Sequence, residues 1–282
     1  MIHIATVHWK TNLWLALQIK YLKKNINEPF QLYAYIDAQL PNQEILSELH
    51  YFSIEDKGKH EDKLNALSSI ILQDAVNDSD YIMFLDGDAF PIAPLPSNYF
   101  SLLETHKLIA VKRLENNGDI QPHPCFTLTT VAFWKKLNIG WQSGYKWRNS
   151  DDVLVSDVGG NLLERLIALN VSWHALYRTN RLNLHPLLFG IYDNIIYHHG
   201  SGFRDSICGR IVRKNYGLEY EKQNILIKFL GYHIKNKYLI ILRDKIIPFF
   251  RKNKQLKEEQ TELKNQFMKK IIEDEYFYKT LM

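Results

Sequence analysis

The chain has 282 residues, 46% hydrophobic and 23% charged, which is enough to bury a large core and too long for a minimal binding module. Two cysteines, Cys125 and Cys208, exclude a disulfide framework or a cysteine-built zinc cluster and suit a reducing compartment, and no run reaches the ~18 apolar residues of a spanning helix. The net charge of +4 is uneven: sixteen Lys/Arg face nine Asp/Glu from Arg213 onward, so the basic excess sits in the tail, which argues against nucleic acid as a partner.

The first residues, MIHIATVHWK, have neither a basic start nor a long apolar run, so they read as a first strand and not a signal peptide. Ile2–Val7 alternates, and Thr11 or Asn12 then caps a helix whose Leu13, Ala16, Leu17 and Tyr21 share a face. Gln31–Ile36 predicts a second strand ending at Asp37, Asn42–His50 a short helix, and Tyr51–Ile54 a third strand. A strand feeding a helix this quickly opens a doubly wound sheet, in which ligands gather at the carboxyl ends of strands. Thr6, His8, Trp9 and Asp37 are thereby placed to meet a nucleotide base and ribose. The next helix, Asp62–Val76, buries Leu64, Leu67, Ile71 and Ala75. Its first turn carries Lys63 and Asn65, where backbone N–H groups already attract anions, so Lys63 is expected to reach a diphosphate or sugar.

Tyr81–Leu85 is an apolar run of strand length without helical spacing, and it delivers Asp86-Gly87-Asp88 to its carboxyl end. On a straight strand positions 86 and 88 share a face, and Gly87 removes the side chain that would crowd a ligand there. Two hard oxygen donors suit Mg²⁺ or Mn²⁺ better than zinc. An ordinary Asp-Gly-Asp turn is the competing reading.

Prolines forbid regular structure until Ser97 or Asn98 caps a helix; Leu108–Val111 is a strand, Leu114–Pro124 a loop, Cys125–Thr130 a strand, and Thr129 or Thr130 caps a helix to Leu137. Trp141, Tyr145 and Trp147 are either sugar-stacking platforms or core anchors. Ser156 or Asp157 is expected as the N-cap of a helix burying Leu162, Leu163, Leu166 and Leu169, with Gly159-Gly160 letting a ligand approach. Val171–Leu176 and Ile191–His199 read as further strands. The second ends in His198-His199 and Gly-Ser-Gly, before Arg204. Imidazole can serve as a third Mn²⁺ ligand, but strand neighbours face opposite sides, so one of His198 and His199 should point at the ion. The Gly-Ser-Gly turn reads as an anion nest, with Arg204 forking onto phosphate.

This order of parts, Asp86-x-Asp88, then Asp157-x-Gly-Gly, then His-His-Gly and Arg204, resembles GT-A glycosyltransferases over roughly residues 1–210. The resemblance implies an α/β fold: one GT-A domain, Rossmann-like with a mixed, mainly parallel sheet, over 1–215 (nucleotide-sugar side to about 110, acceptor side from about 111), followed by a helical extension over 216–282. It implies a nucleotide-diphosphate sugar donor, UDP-sugar favoured, bound at Thr6, His8, Trp9, Asp37, Lys63, Asn65, Asp86, Gly87, Asp88 and Arg204. It also implies Mn²⁺ or Mg²⁺ on Asp86, Asp88 and His198 or His199, and Asp157 as the base that deprotonates an acceptor hydroxyl, with Asp152 and Asp151 in reserve. Retaining families of the glycogenin type usually close with a lysine in His-x-x-Gly-x-x-Lys; Arg204 stands at a different spacing, and inversion is the expected course. The acceptor is expected to be a glycan or lipid-linked glycan in surface polysaccharide or lipopolysaccharide synthesis.

The tail alternates apolar residues, Ile225, Leu226, Phe229, Tyr238, Leu239, Ile241 and Leu242, with Lys and Arg, and Pro248 interrupts it. It reads as amphipathic helices that lie on an anionic membrane surface, pair in a homodimer, or pack back on the domain. The expected location is the cytoplasm, including the cytoplasmic face of the inner membrane. The alternatives are a phosphatase of the haloacid dehalogenase type, against which Phe90 stands where Thr or Val is usual, a nucleotidyltransferase, and a non-catalytic carbohydrate- or membrane-binding module.

Overall fold

Strand β1 (Ile2–Trp9) is buried at every position but its last, as a strand covered on both faces must be. In the computed structural model, which describes residues 1–37, 39–55, 57–203, 209–218, 230–231 and 233–282, β1 lies inside a seven-stranded sheet. The first half runs α1 (Leu13–Asn25), β2 (Phe30–Asp37), α2 (Gln43–Leu46), β3 (Tyr51–Ser53), α3 (His60–Asp74), β4 (Tyr81–Asp86), β5 (Ala89–Pro91), α4 (Asn98–His106) and β6 (Leu108–Val111). The second half runs β7 (His123–Thr130), α5 (Val131–Leu137), β8 (Trp147–Arg148), β9 (Leu154–Val155), α6 (Gly160–Ala168), β10 (His174–Leu176), β11 (Gly190–Tyr192) and β12 (Ile196–His198).

The strand order is β10-β6-β7-β4-β1-β2-β3, with β7 antiparallel to both neighbours and the other pairings parallel. This is the expected α/β class with a mixed, mainly parallel sheet. Ile2, Ile4, Met83 and Leu85 pack with α1 and α4 on one face, whereas Ala5, Val7, Ile82 and Phe84 pack with α3, α5 and α6 on the other. The alternation of inward side chains along each strand produces this division. A smaller antiparallel sheet, β11-β12-β5, stands where β4 ends.

Several local expectations are corrected. The single strand expected over Ile191–His199 is a hairpin, β11 and β12: Tyr192 pairs with Ile196 across a three-residue connection in which Asp193 and Asn194 take φ of 52° and 57°, the left-handed region that Asp and Asn tolerate and that reverses the chain. The N-cap of α6 is Gly159 at φ 89°, not Ser156 or Asp157; Ser156 Oγ instead accepts from the Gly144 N–H at 3.1 Å. Trp141 and Trp147 are buried, and Trp141 packs with Phe84 and Trp134, so both are core anchors; Tyr145 alone of the three is exposed.

Residues 1–203 with Thr280–Met282 form one compact unit and residues 204–279 a second. In the first, the chain end is tied in by the N–H groups of Arg181 and Leu182, which donate to the Leu281 carbonyl. The second holds α7 (Arg210–Asn215), α8 (Lys237–Ile246) and α9 (Pro248–Glu273). Pro248 starts α9, where its missing N–H would have had no helical partner. Ile225, Leu226 and Phe229 lie outside the described residues. Among the described residues no helix is long and apolar enough to cross a membrane.

Candidate active site

The acidic pair is brought together by a turn, not a straight strand. β4 ends on Asp86, Gly87 and Asp88 turn, and Ala89 begins β5. β5 pairs with β12 in a register that sets His198 opposite Ala89. As a result His198 Nε2 lies 3.4 Å from one oxygen of Asp86 and 3.4 Å from one of Asp88. Ligand atoms of Asp86, Asp88 and His198 all fall within 4.8 Å of one another, and they form the one such group of three among the described residues. The donor set fits a hard divalent cation. Asp86 Oδ1 fits too: it is buried without a hydrogen bond of acceptable geometry, although His60 Nε2 is 3.1 Å away.

His199 points elsewhere. Its Nδ1 meets the Tyr197 hydroxyl at 2.9 Å, and its ring packs against Trp14 and Phe189. Its inclusion as a metal ligand is therefore corrected: strand alternation sends it to the opposite side from His198. The Gly-Ser-Gly turn is not an open nest either, because the Gly202 N–H donates to Asp88 Oδ2 at 2.7 Å and so orients the carboxylate. Gly87 leaves room for the protein itself. A Cβ there would lie 2.4 Å from the Val7 carbonyl oxygen, 2.8 Å from Phe203 and 2.9 Å from His8 Nδ1.

Two imidazoles that the sequence reading passed over complete the cluster. His60, the first residue of α3, faces Asp86, and His123, the first residue of β7, has its ring centroid 6.1 Å from that of His198. Burial pushes the Asp86 carboxyl up, but His60, His123 and His198 outweigh it and hold Asp86 well below the usual carboxylate range. Asp88 is likewise pushed up by burial and held low by His198. Burial pulls His60 down and Asp86 more than reverses this; His123 is driven well below its ordinary value by burial, with Arg113 adding to it. Neither histidine had a motif to mark it, since each reaches the site only through packing.

The nucleotide-side candidates divide. Trp9 and Asp37, paired in register at the carboxyl ends of β1 and β2, are exposed. Thr6 and His8 are corrected: both are fully buried, Thr6 Oγ1 meets His8 Nε2 at 3.3 Å, and His8, lowered to about 4 by burial, forms the wall beneath Gly87. Lys63 is not a mobile charge, because it is buried and its Nζ pairs with Asp37 at 2.8 Å. Asn65 is turned away: its Oδ1 accepts from the Trp141 N–H at 2.6 Å and pins the loop at Gly140. Arg204 lies outside the described residues, as does Cys208.

On the acceptor side Asp157 is exposed, and its Oδ1 accepts from the Val158 N–H at 2.8 Å. Asp152 is exposed, at φ 58°, and pairs with Arg148 at 3.3 Å; Asp151 accepts from Asn117 at 3.0 Å. Gly159 does not serve ligand approach, since a Cβ there would sit 2.1 Å from the Pro122 carbonyl oxygen. That contact holds the loop before β7 against the start of α6 and brings in a carboxylate the sequence did not single out. Asp119 is buried, accepts from Asn116 Nδ2 at 2.5 Å, and has its pKa raised to about 6, first by burial and then by Asp157.

A folded-state pKa raised from 3.8 means that Asp119 contributes stability fully below that value and loses it as pH rises through about 6. Asp119→Asn removes the cost of the buried charge. Its unfolding free energy in urea should match the parent near pH 4 and exceed it above pH 6 by at most about 3 kcal/mol. A difference independent of pH would show that burial is not what perturbs this group.

No family model and no curated protein matches the sequence. Solved structures do resemble it, among them the GT-A glycosyltransferases TarS, PcManGT and LgtC. It is similar to S. aureus TarS 1–349, at 11% identity and a TM-score of 0.43, covering 95% of this chain and 91% of that one. It is similar to the mannosyltransferase PcManGT from Pyrobaculum calidifontis in complex with GDP-Man and Mn²⁺, at 10% identity and 0.39, covering 62% and 54%. It is also similar to the galactosyltransferase LgtC with donor and acceptor sugar analogues, at 11% and 0.35, covering 61% and 72%. Another TarS chain is matched over 30% of its own length. All these scores lie below 0.5, and the chemistry of the site stands on the residues described above.

Proposed function

We propose that the chain is a metal-dependent glycosyltransferase that moves a sugar from a nucleotide-diphosphate donor, UDP-sugar favoured, to a hydroxyl of a glycan or lipid-linked glycan. The observation that carries this reading is the convergence of Asp86, Asp88 and His198 within 4.8 Å at the carboxyl end of β4. The exposed Trp9 and Asp37 stand on neighbouring strand ends, the edge of such a sheet at which ligands gather. Asp86, Asp88 and His198 would hold Mn²⁺ or Mg²⁺, which when bound offsets the charge that builds on a leaving diphosphate. The Gly202 N–H keeps Asp88 oriented, and His60 stands 3.1 Å from Asp86 as a neighbouring cation. Asp157, exposed and in a loop, takes the acceptor proton, with Asp152 in reserve, and transfer inverts the anomeric carbon. The reading extends to surface polysaccharide or lipopolysaccharide assembly on the cytoplasmic side of a membrane.

A thermal-shift panel of UDP-, GDP-, dTDP- and CMP-sugars, with and without Mn²⁺, tests the donor. A matching sugar at ~100 times its dissociation constant should add ~2.7 kcal/mol of stability with the metal and much less without it. No stabilisation by any nucleotide sugar with Mn²⁺ would overturn the proposal. For the base, Asp157→Asn should keep donor binding and lose transfer by roughly a hundredfold or more. Near-normal turnover would move that role to another group.

A further inference from the structure

Helix α8 is folded with its polar pair inward and its apolar residues outward. The side chains of Arg243 and Asp244 are 13% and 20% exposed. Arg243 donates twice to Asp244 Oδ1, at 2.8 and 2.6 Å, and to the Leu230 carbonyl at 3.1 Å, and its guanidinium lies 4.0 Å from the Phe250 ring centroid. By contrast Tyr238 is 82% exposed, Ile246 67%, and Leu239 and Leu242 52% each. No residue of α8 is buried. Tyr238, Leu242 and Ile246 are four apart and stand above one another, with Leu239 and Ile241 alongside, so they make one stripe and not scattered exposures. A helix of a globular fold turns such a stripe to the core; a contiguous apolar stripe left in water marks an interaction surface.

The surrounding charge selects what covers it. Between Gly231 and Lys254 there are seven Lys/Arg and one acid, Asp244, which Arg243 already neutralises. Lys235, Lys237, Lys245, Arg251, Lys252 and Lys254 are all exposed. Lys245 follows Ile241 by one turn and so stands on the apolar face itself. A second copy of this chain would set the same cations against these, without complementarity, whereas a phosphate-rich apolar surface complements both features at once.

We infer that the outer face of α8 docks on an anionic phospholipid surface, with Tyr238, Leu239, Leu242 and Ile246 entering the headgroup boundary and the lysines meeting lipid phosphates. The inference does not depend on the sugar-transfer reading, and its test involves no transfer assay. The full-length chain is floated with vesicles of phosphatidylcholine alone and of phosphatidylcholine mixed with phosphatidylglycerol. It should rise with the anionic vesicles, stay behind with the neutral ones, and be released by high salt. Leu242→Ser/Ile246→Ser, at two exposed positions, should keep the parent circular dichroism and lower vesicle affinity by about tenfold or more. Failure of the parent to float with anionic vesicles, or undiminished flotation of the variant, overturns the inference. So does a dimer in light scattering that the same variant dissociates, because a second copy would then be what covers the stripe.

Discussion

Asp88→Asn is expected to yield a folded chain that has lost its divalent-cation site. The variant amide can still accept from the Gly202 N–H, which Asp88 Oδ2 does at 2.7 Å, so the turn between β4 and β5 keeps its anchor. The lost charge is one of two carboxylates within reach of a single ion, beside one imidazole. Mn²⁺ affinity by calorimetry should fall by about a hundredfold or more, since changes even outside the ligand shell cost up to about that much. The metal-dependent thermal shift should vanish with it, and so should any metal-dependent turnover. Unchanged Mn²⁺ affinity, or full activity of this variant with EDTA present, would remove the cation from the site. His198→Ala should follow the same pattern, whereas His199→Ala should lower stability without a comparable loss of affinity, because its ring packs with Trp14 and Phe189 away from the acids.

Gly87→Ala is expected to be among the most damaging single-methyl additions to the chain. The new carbon would sit 2.4 Å from the Val7 carbonyl oxygen, which belongs to β1 in the middle of the sheet, with Phe203 at 2.8 Å and His8 at 2.9 Å. Phe203 can swing aside. The strand carbonyl cannot yield without disturbing its pairing with β2 and β4. Overpacking of this kind costs about 1–3 kcal/mol, and a backbone obstacle puts the expected loss at the upper end, about 3 kcal/mol by urea unfolding. Relief by movement of the turn would separate Asp86 from Asp88, so Mn²⁺ affinity should drop in whatever fraction folds. A variant with parent stability and parent affinity would mean that the turn has slack which the contacts do not suggest.

The two substitutions bear on different physics. Asp88→Asn keeps shape and removes charge; Gly87→Ala keeps charge and removes shape. Loss of metal affinity in both would indicate that the ion is held by two carboxylates whose spacing is set by how closely two strands approach.

Local signals in the sequence were enough for most of the framework. Alternation and apolar runs located β1, β2, β4 and β6, the helical stripe of Leu64, Leu67 and Ile71 located α3, and Thr130 capped α5 by accepting from the Phe133 N–H. Pro248 broke the tail between α8 and α9, as a residue without an N–H should. The acidic pair, the pair His198-His199 and the basic tail were legible because short-range pattern and composition carry them, though the turn that brings the acids together was read as a straight strand. The tertiary structure decided which side chains meet. The choice of His198 over His199 follows from the pairing of β12 with β5, and that pairing depends on a hairpin at Asp193-Asn194 that could have been read from its left-handed-tolerant residues. The entry of His60, His123 and Asp119, the burial of Thr6 and His8, and the capture of Lys63 by Asp37 had no sequence signal. Strand and helix periods are properties of neighbouring residues, whereas burial and ion pairing arise only when separate segments close on one another, 26 positions apart for Asp37 and Lys63 and more than a hundred for Asp86 and His198.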